Sequence, residues 1–296
     1  MMATDFLEAT IWVQAWRQFS RNKLAMLGLF FLIVIILGVL IGPIINQTSI
    51  NQINFSQSTL PPSLQHPFGT NDLGQDQLAR VLFGGRISLC VGLAAMVVAI
   101  SLGTLIGAVA GFYGGTVDSV LMRLTDLFLS LPQLPLLLLM VYLFRDSLKA
   151  IAGPEQGIFI LVILLIGGLN WMSVARLVRA NILKLREMEF MSAATVNGAS
   201  PLRLIGVHLL PNVTGIIIVA ATIAVANGII TESTLSFLGL GFPPDVPTWG
   251  QMLYKAKDYL TTAPHMALFP GLAICITVLC INYVGEGLRD VFDPKS

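Results

Sequence analysis

Residues 189–212, EFMSAATVNGASPLRLIGVHLLPN, form a polar stretch that carries charges and lies between two long apolar runs. Gly198 suits the left-handed position that follows many helices, so a first short helix is predicted to end just before it. Ser200 has a side chain that can cap a second helix, and Pro201 fits the first turn, where no backbone donor is needed. The second helix is predicted to end before Pro211. The stretch is therefore expected to fold as a helical hairpin.

The composition indicates that lipid is the solvent for most of the chain. Hydrophobic residues make up 55% of the 296 residues and charged residues 11%, whereas soluble domains carry about 25% charged residues. The net charge of +1 argues against a nucleic-acid partner, which would require a basic surface. The three cysteines lie in apolar runs without metal-ligand or disulfide spacing, and they are Cys90, Cys275 and Cys280.

Apolar stretches long enough to cross a bilayer core, which takes about 20 residues, recur six times along the chain. They are residues 24–45, 87–112, 120–144, 157–179, 212–231 and 265–285. The fold class predicted is an all-α integral membrane protein with six transmembrane helices. The first stretch is too long for a signal-peptide core and lacks a cleavage site, so it is expected to be retained as an anchor.

The basic residues predict that both termini are cytoplasmic, because cytoplasmic loops carry an excess of lysine and arginine. With the N-terminus inside, the cytoplasmic side receives Arg17, Arg21, Lys23, Arg123, Arg176, Arg179, Lys184, Arg186, Arg203, Arg289 and Lys295. The opposite side receives Arg80, Arg86, Arg145, Lys149, Lys255 and Lys257.

The chain divides at the boundaries of these apolar stretches. Asp5 and Glu8 have the spacing of a capping box, and aromatic residues follow at helical intervals, which predicts an amphipathic helix at the cytoplasmic interface. The predicted segments are an N-terminal amphipathic helix 1–23, a first transmembrane helix 24–45, an external loop 46–86, a five-helix core 87–290 and a cytoplasmic tail 291–296. The core includes the cytoplasmic loop 187–211 and an external segment 232–262.

Small residues and prolines inside the core predict its packing and its kinks. Gly103, Gly107 and Gly111 recur every four residues, a pattern that lets another helix approach closely in lipid. Kinks are expected where prolines interrupt the third and sixth stretches, at Pro132, Pro135, and Pro270 with Gly271.

Few polar side chains lie within the apolar stretches. Asn170, Asn227 and Asn282 are candidates for lining a pathway, although hydrogen bonding between helices is the favoured role for each. Glu232 and Glu286 are placed at the ends of stretches, so no stretch carries a charge near its centre. This weakens any mechanism that needs an ion relay within the membrane.

The external segment 232–262 contains a portion, SFLGLG (236–241), that is too apolar for an ordinary solvated loop. We expect it to dip back toward the mouth of the pathway, which is possible only where protein or a cavity lines it. The candidate gate residues in this segment are Phe237, Gly239, Gly241 and Trp249.

The cytoplasmic loop resembles the coupling loop of ABC importer permeases. The matching residues are Ser192-Ala193-Ala194, Gly198 and Leu210-Pro211. The family pattern has glutamate where this chain has Ser192 and isoleucine where it has His208. The serine removes any salt bridge from that position, for which Glu187 or Glu189 could substitute, while His208 is expected to cap or pack.

Four further segments resemble the second permease subunit of dipeptide, oligopeptide and nickel importers. They are HPFGTNDLGQDQLARVLFGGRISL (66–89), GFYGGTVDSVLMRLTDLFLSLP (111–132), ESTLSFLGLGFPPDVPTWGQML (232–253) and FPGLAICITVLCINYVGEGLRDVFDP (269–294). The resemblance implies a bacterial cytoplasmic-membrane location, a homologous partner permease, two ATP-binding subunits and an external substrate-binding protein. It assigns docking of the ATP-binding subunits to the loop residues Glu187, Glu189, Ser192, Ala193, Ala194, Gly198, Ser200, Arg203, Leu210 and Pro211.

The chain is not expected to be an enzyme. It lacks the Gly-x-x-x-x-Gly-Lys-Ser/Thr phosphate loop, so ATP and Mg²⁺ are expected in the partner subunits and no cofactor or metal in this chain. Peptides are the favoured cargo, while nickel or another small solute stays open. An ion-coupled secondary transporter is the alternative mechanism, and an intramembrane hydrolase lacks any nucleophile–base pair.

Overall fold

The computed structural model describes residues 13, 15–46 and 48–292, and within these residues the chain is helical apart from its loops and one isolated bridge. The helices are α1 (Lys23–Ile45), α2 (Gln77–Tyr113), α3 (Gly115–Ser130), α4 (Gln133–Ala152), α5 (Pro154–Gly168), α6 (Trp171–Arg186), α7 (Glu189–Val196), α8 (Pro201–Phe237), α9 (Trp249–Ala256) and α10 (His265–Phe292). Single 3₁₀ turns lie at Phe55–Gln57 and Lys257–Tyr259.

Five of the helical segments are long and apolar enough to cross a membrane, namely α1, α2, α5 with α6, α8 and α10. The pair α3 and α4 brings the number to six when it is counted as one bent span. The prediction of an all-α membrane protein with six spans is therefore confirmed, with the third span broken in two.

The helix α2 corrects the predicted start of the second span at residue 87. It is one continuous helix of 37 residues from Gln77, so residues 77–86, predicted as part of the external loop, belong to the helix. The Asp76 side chain caps it by accepting from the Ala79 N–H at 2.8 Å. Gly84 and Gly85 do not interrupt it, and their missing side chains leave room for the backbone of Pro247 and Thr248 and for the Trp249 ring.

The third span is interrupted near the predicted kink, and the fourth is interrupted where the sequence predicted no break. In the stretch 120–144 the chain bends by 87° between α3 and α4, beside the predicted kink at Pro132. In the stretch 157–179 a two-residue turn at 169–170 separates α5 from α6. By contrast, α10 continues as a helix through Pro270.

The second helix of the hairpin does not end before Pro211, as the sequence predicted, but continues as α8 to Phe237. A π-helical segment, Leu204–Leu209, precedes the proline, and the Leu210 N–H donates to the Ile205 carbonyl five residues back. This shift in the hydrogen-bond register accommodates a residue that has no N–H and would otherwise clash with a carbonyl in the preceding turn.

The molecule has two ends, named here by their contents. The hairpin end holds residues 187–203 and the turn between α2 and α3. Arg186 connects the hairpin to this turn, because its guanidinium donates to the Phe112 carbonyl at 3.1 Å. The two ends of the described chain meet there as well, since the Asn22 amide donates to Asp290 Oδ2 at 3.1 Å. The loop end holds residues 48–76 and 238–264.

The helix α2 is the centre of the core and contributes to three apolar clusters. At the hairpin end it packs on α6 and α8. Nearer the loop end it packs on α1, α8, α9 and α10 in a second cluster and on α4, α5 and α8 in a third. The glycine stripe lies against α6, as predicted. A methyl group on Gly103 would sit 2.5 Å from the Val174 Cβ, and one on Gly111 would sit 2.9 Å from Ile182.

The predicted N-terminal amphipathic helix lies partly outside the described residues, as does most of the tail 291–296. Residues 15–21 are helical. The Trp16 ring is 56% exposed and stacks on Phe19, which is buried, with ring centroids 6.0 Å apart. The described part thus presents one aromatic ring outward and one to the core.

Candidate functional site

The turn of the hairpin is a Schellman motif that ends α7. The Gly198 N–H donates to the Thr195 carbonyl at 3.0 Å and the Ala199 N–H to the Ala194 carbonyl at 3.1 Å. Gly198 has φ +79°, and a Cβ there would meet nothing within 4 Å. Glycine is therefore required by the left-handed backbone alone and not by crowding.

The start of α8 follows the predicted capping. The Ser200 hydroxyl accepts from the Arg203 N–H at 3.4 Å, and Pro201 occupies the first turn. Since the turn and both caps are encoded within a few residues, the hairpin has a defined shape without help from another chain.

Buried side chains fix the hairpin to the helix bundle. Met191 of α7 and Leu204 of α8 lie in the same apolar cluster as Val178 and Ile182 of α6. Leu210, predicted as a site residue, packs against this cluster, whereas Pro211 is exposed. The hairpin and α6 are thus in direct contact, so a displacement of one is transmitted to the other.

The outer face of the hairpin exposes large apolar side chains. Val196 is 88% exposed and Leu202 83% exposed, and Met188 and Val207 are about half exposed. Single exposed apolar residues are common on protein surfaces, but a group of them around one turn marks an interaction site.

Ala193 and Ala194, which the resemblance assigns to docking, lie on different faces of α7. Ala193 is exposed, while Ala194 packs against the core cluster. Ser192 and Glu189 are exposed in the same helix. The Glu187 carboxylate lies 3.4 Å from the Arg186 guanidinium and is otherwise solvated, so both acidic groups remain accessible to a partner.

His208, which departs from the family pattern, lies half-buried in the π-helical segment. Its carbonyl accepts from the Asn212 side-chain amide at 2.7 Å. Arg203 is exposed one turn from the exposed apolar residues.

Asn170 lies in the turn between α5 and α6, where it repairs the interrupted helix. Its side-chain amide donates to the Ile166 carbonyl at 2.6 Å, while its backbone N–H donates to Gly167 instead. The side chain therefore takes the bond that the backbone of a continuous helix would make. Asn170 also lines a cleft between this turn and the α3–α4 bend, together with Gln133 and Ser173.

Asn227 and Asn282 are exposed on the outer surfaces of α8 and α10. Within the described part of the chain, no hydrogen bond joins either side chain to another helix. Asn227 shares one exposed face of α8 with Ile223 and Ile230, which is a position open to a second chain.

The predicted gate residues are divided between exposed and buried positions. Phe237, the last residue of α8, is exposed. Gly239 has φ +81° and ends α8 in a second Schellman motif, with the Leu240 N–H donating to the Leu235 carbonyl at 3.1 Å. A methyl group on Gly241 would lie 2.6 Å from the Ser236 Cα, so the loop folds tightly onto α8.

Trp249 is fully enclosed at the loop end and connects the external segment to α2. Its indole N–H donates to the Val81 carbonyl at 2.9 Å, and its backbone N–H donates to the Ser88 hydroxyl at 3.3 Å. Of the four gate candidates it is therefore the one that anchors the segment.

Glu232, expected at the end of a span, lies within α8 and is completely buried. The Ser236 hydroxyl donates to one of its carboxylate oxygens at 2.7 Å and the Ser88 hydroxyl to the other at 3.1 Å. The Thr248 hydroxyl donates to the Ser236 hydroxyl at 3.4 Å and so belongs to this polar cluster. The cluster joins α2, α8 and the external segment.

Comparison with known proteins agrees with this arrangement. Residues 103–296 match the family described as binding-protein-dependent transport system inner membrane component. The chain belongs to this family. Residues 10–62 of the permease match a second description, the N-terminal transmembrane domain of oligopeptide transport permease C.

Curated relatives extend the likeness over nearly the whole permease. The oligopeptide transport system permease protein OppC of Bacillus subtilis is 37% identical over 287 residues, which cover 97% of this chain and 90% of the relative. The dipeptide transport system permease protein DppC of Alkalihalophilus pseudofirmus is 37% identical over 96% of this chain and 90% of its own. The oligopeptide transport system permease protein OppC of Escherichia coli K12 is 37% identical over 97% of this chain and 92% of its own length.

Sequence reasoning missed the ion pairs between α3 and α6. The Arg179 Nε donates to Asp118 Oδ1 at 2.8 Å, its Nη2 bonds the other carboxylate oxygen, and Arg176 pairs with Asp126. The presence of two acidic and two basic residues near the ends of neighbouring apolar stretches was a signal for these pairs.

A group of charged residues at the loop end was also missed. The Arg80 guanidinium is buried and donates to the Ile50 carbonyl at 2.8 Å. Burial lowers the pKa of the nearby Lys255 amine, and the charge of Arg80 lowers it further, against the opposing effect of Asp72 and Asp245.

Proposed function

We propose that this permease forms half of the translocation pathway of an ATP-driven importer and that hairpin residues 187–211 receive the force from an ATP-binding subunit. The observation that carries the proposal is the exposed apolar surface of the hairpin at Val196 and Leu202. Such a surface lies beyond the apolar stretch 212–231 and needs a protein partner to cover it.

The acidic and basic groups around this surface suit a polar rim. Glu187, Glu189 and Arg203 are exposed beside the apolar residues, as the rim of an interface requires around its dehydrated centre. Ser192 contributes no charge, so the acidic contacts would come from Glu187 and Glu189. ATP and Mg²⁺ would bind in the partner subunits.

We place the hairpin end in the cytoplasm of a bacterium and the loop end outside its inner membrane. Arg176, Arg179, Lys184 and Arg186 support this orientation, since they cluster toward the hairpin end, and basic residues favour the cytoplasmic side. An external substrate-binding protein would then meet the loop end, and a homologous permease would meet the exposed face of α8 that carries Asn227.

Peptides are the proposed cargo. The support comes from the relatives, which are named as oligopeptide and dipeptide transport permeases and cover most of this chain. Competition with unlabelled di- and oligopeptides in an uptake assay tests the assignment. Inhibition by Ni²⁺ but not by peptides would overturn it in favour of the metal.

The substitution Gly198→Val tests the coupling role. A β-branched residue with positive φ strains the turn by about 1–2 kcal/mol, so the hairpin presents its surface incorrectly. We expect substrate uptake by the assembled transporter to fall about tenfold, the equivalent of about 1.4 kcal/mol, while ATP hydrolysis continues. Uptake and hydrolysis are measured in lipid vesicles.

The matched control is Gly38→Val, at a glycine of α1 outside the hairpin, whose added Cβ would have one ordinary contact, at 3.9 Å to Leu82, and whose φ is not positive. It should leave the ratio of uptake to hydrolysis near that of the unaltered protein. Normal uptake by the Gly198→Val transporter would sink the coupling role.

Collapsing the proton gradient while the ATP concentration is held constant distinguishes an ion-coupled mechanism from an ATP-driven one. Uptake should persist in that assay. Loss of uptake with ATP still present would favour a secondary transporter.

A further inference from the structure

Two helix interruptions lie side by side in the bundle. One is the 87° bend between α3 and α4, and the other is the turn at 169–170 between α5 and α6. Residues from both interruptions line one cleft, among them Phe128, Leu131, Gln133 and Asn170. The two breaks therefore lie at the same level of the molecule.

On the hairpin side of the breaks, α3 is held to α6 mainly by charge. Thr125 is the one buried residue of α3, and the apolar contact with α6 lies at the break, where the Phe128 ring meets the Trp171 ring with centroids 6.3 Å apart. The Arg179 guanidinium donates hydrogen bonds to both carboxylate oxygens of Asp118, with Nε and Oδ1 2.8 Å apart. Arg176 pairs with Asp126 in addition. A two-point arginine–carboxylate contact sets orientation as well as attraction.

The helix α6 leads directly into the hairpin. The Met188 N–H donates to the Leu185 carbonyl at 3.1 Å, and Ile182 packs in one cluster with Met191 and Leu204. A displacement of the hairpin therefore moves α6. The motion of α3 with α6 depends on the ion pairs between these two helices.

On the other side of the breaks, α4 and α5 are held by apolar packing. Leu137 of α4 and Ile158 of α5 are buried in a cluster with Val91 of α2 and Leu235 of α8. This outer part is thus fixed to the centre of the bundle, in contrast to α3.

We propose that α3, α6, the hairpin and the end of α2 that packs on α6 move as one body about the paired interruptions, and that Arg176 and Arg179 are positioning residues that make α3 follow α6. The proposal rests on the proposed function, because an ATP-binding subunit supplies the displacement. Motion of α3 would then change the cleft at the breaks, where the polar side chains of Gln133, Asn170 and Ser173 meet.

Charge reversal tests the positioning role in the assembled transporter in lipid vesicles. The single variants Asp118→Arg and Arg179→Asp place like charges opposite each other, and the double variant restores an opposite pair with its members exchanged. We expect each single variant to lower uptake per ATP hydrolysed about tenfold, and the exchanged pair to recover about half of the normal ratio, as coupled sites do. A double variant no better than either single one would overturn the role of the pair.

Label distances test the hinge independently of transport. Spin labels are placed at Ser119 of α3 with Lys184 of α6, and at Ser119 with Tyr142 of α4, after replacement of the native cysteines. Between the nucleotide-free and ATP-bound transporter, we expect the α3–α6 distance to stay constant and the α3–α4 distance to change. With Arg176→Ala and Arg179→Ala together, the distribution of distances between the labels on α3 and α6 should broaden.

A constant α3–α4 distance in the unaltered transporter would overturn the hinge even where uptake is normal. Failure of the proposed function is distinct, because it would appear as absence of ATP-dependent uptake by the unaltered transporter.

Discussion

The turns at Gly198 and Gly239 use the same local structure in opposite surroundings. Each glycine has a positive φ and follows a helix that ends in a Schellman motif. At Gly198 an added Cβ would meet nothing within 4 Å, whereas at Gly239 it would lie 3.4 Å from the Tyr254 ring. The first turn is open to a partner and the second is covered by this chain.

The two turns therefore differ in what covers them: the surface at Gly198 needs another protein, whereas the surface at Gly239 is covered by this chain. Around Gly239, the buried Glu232 cluster and Trp249 hold the external segment to α2. Around Gly198, Val196 and Leu202 remain exposed. Substitutions near Gly239 should therefore affect folding, and substitutions near Gly198 should affect assembly.

The largest loss of stability is expected from Trp249→Ala. Removing a buried tryptophan leaves a cavity and ends the bond to the Val81 carbonyl, at a cost of about 3–5 kcal/mol. The unfolding temperature in detergent should fall clearly. Trp16→Ala, at a ring that is 56% exposed, is the control and should change it little; equal effects would mean that Trp249 is not an anchor.

A smaller loss is expected from Glu232→Ala. The hydroxyls of Ser88 and Ser236 lose their buried acceptor, at a cost of about 1–3 kcal/mol. Glu232→Gln keeps an acceptor and should cost less, as measured by the unfolding temperature. Glu286→Ala, at an exposed carboxylate of α10, serves as the control. If Gln and Ala destabilise equally, the hydrogen bonds do not hold the cluster.

The smallest loss of stability is expected from Val196→Ser combined with Leu202→Ser. Both side chains are exposed, so the change should stay within about 0.5 kcal/mol for each site. Binding of the ATP-binding subunit should nevertheless weaken, which co-purification from detergent would show. Full retention of the subunit would place the docking surface elsewhere.

The elements that could be predicted from sequence are those encoded over a few residues. Gly198, Ser200 and Pro201 specify the hairpin turn through backbone geometry and capping, and the glycine stripe opposite α6 follows from four-residue spacing. Each depends on residues within one or two helical turns.

The features that escaped prediction depend on distant partners or on a local exception. Arg179 meets Asp118 across 61 residues and Trp249 meets Val81 across 168, and periodicity carries no information on such pairs. The bond from the Asn170 side chain to the Ile166 carbonyl repairs a helix interruption that the apolar pattern did not predict. At Pro211 the usual helix-ending rule was overruled by the π-helical segment before it.

That π-helical segment, Leu204–Leu209, also sets the angular phase of the hairpin. An α-helix turns by about 100° per residue, and a π-helical segment is in effect one extra residue inserted into an α-helix. Loss of one residue there would rotate α7 and Leu202 by roughly that angle about the axis of α8. The exposed apolar side chains would then no longer point away from the bundle, so the direction of the hairpin surface depends on a single residue of register.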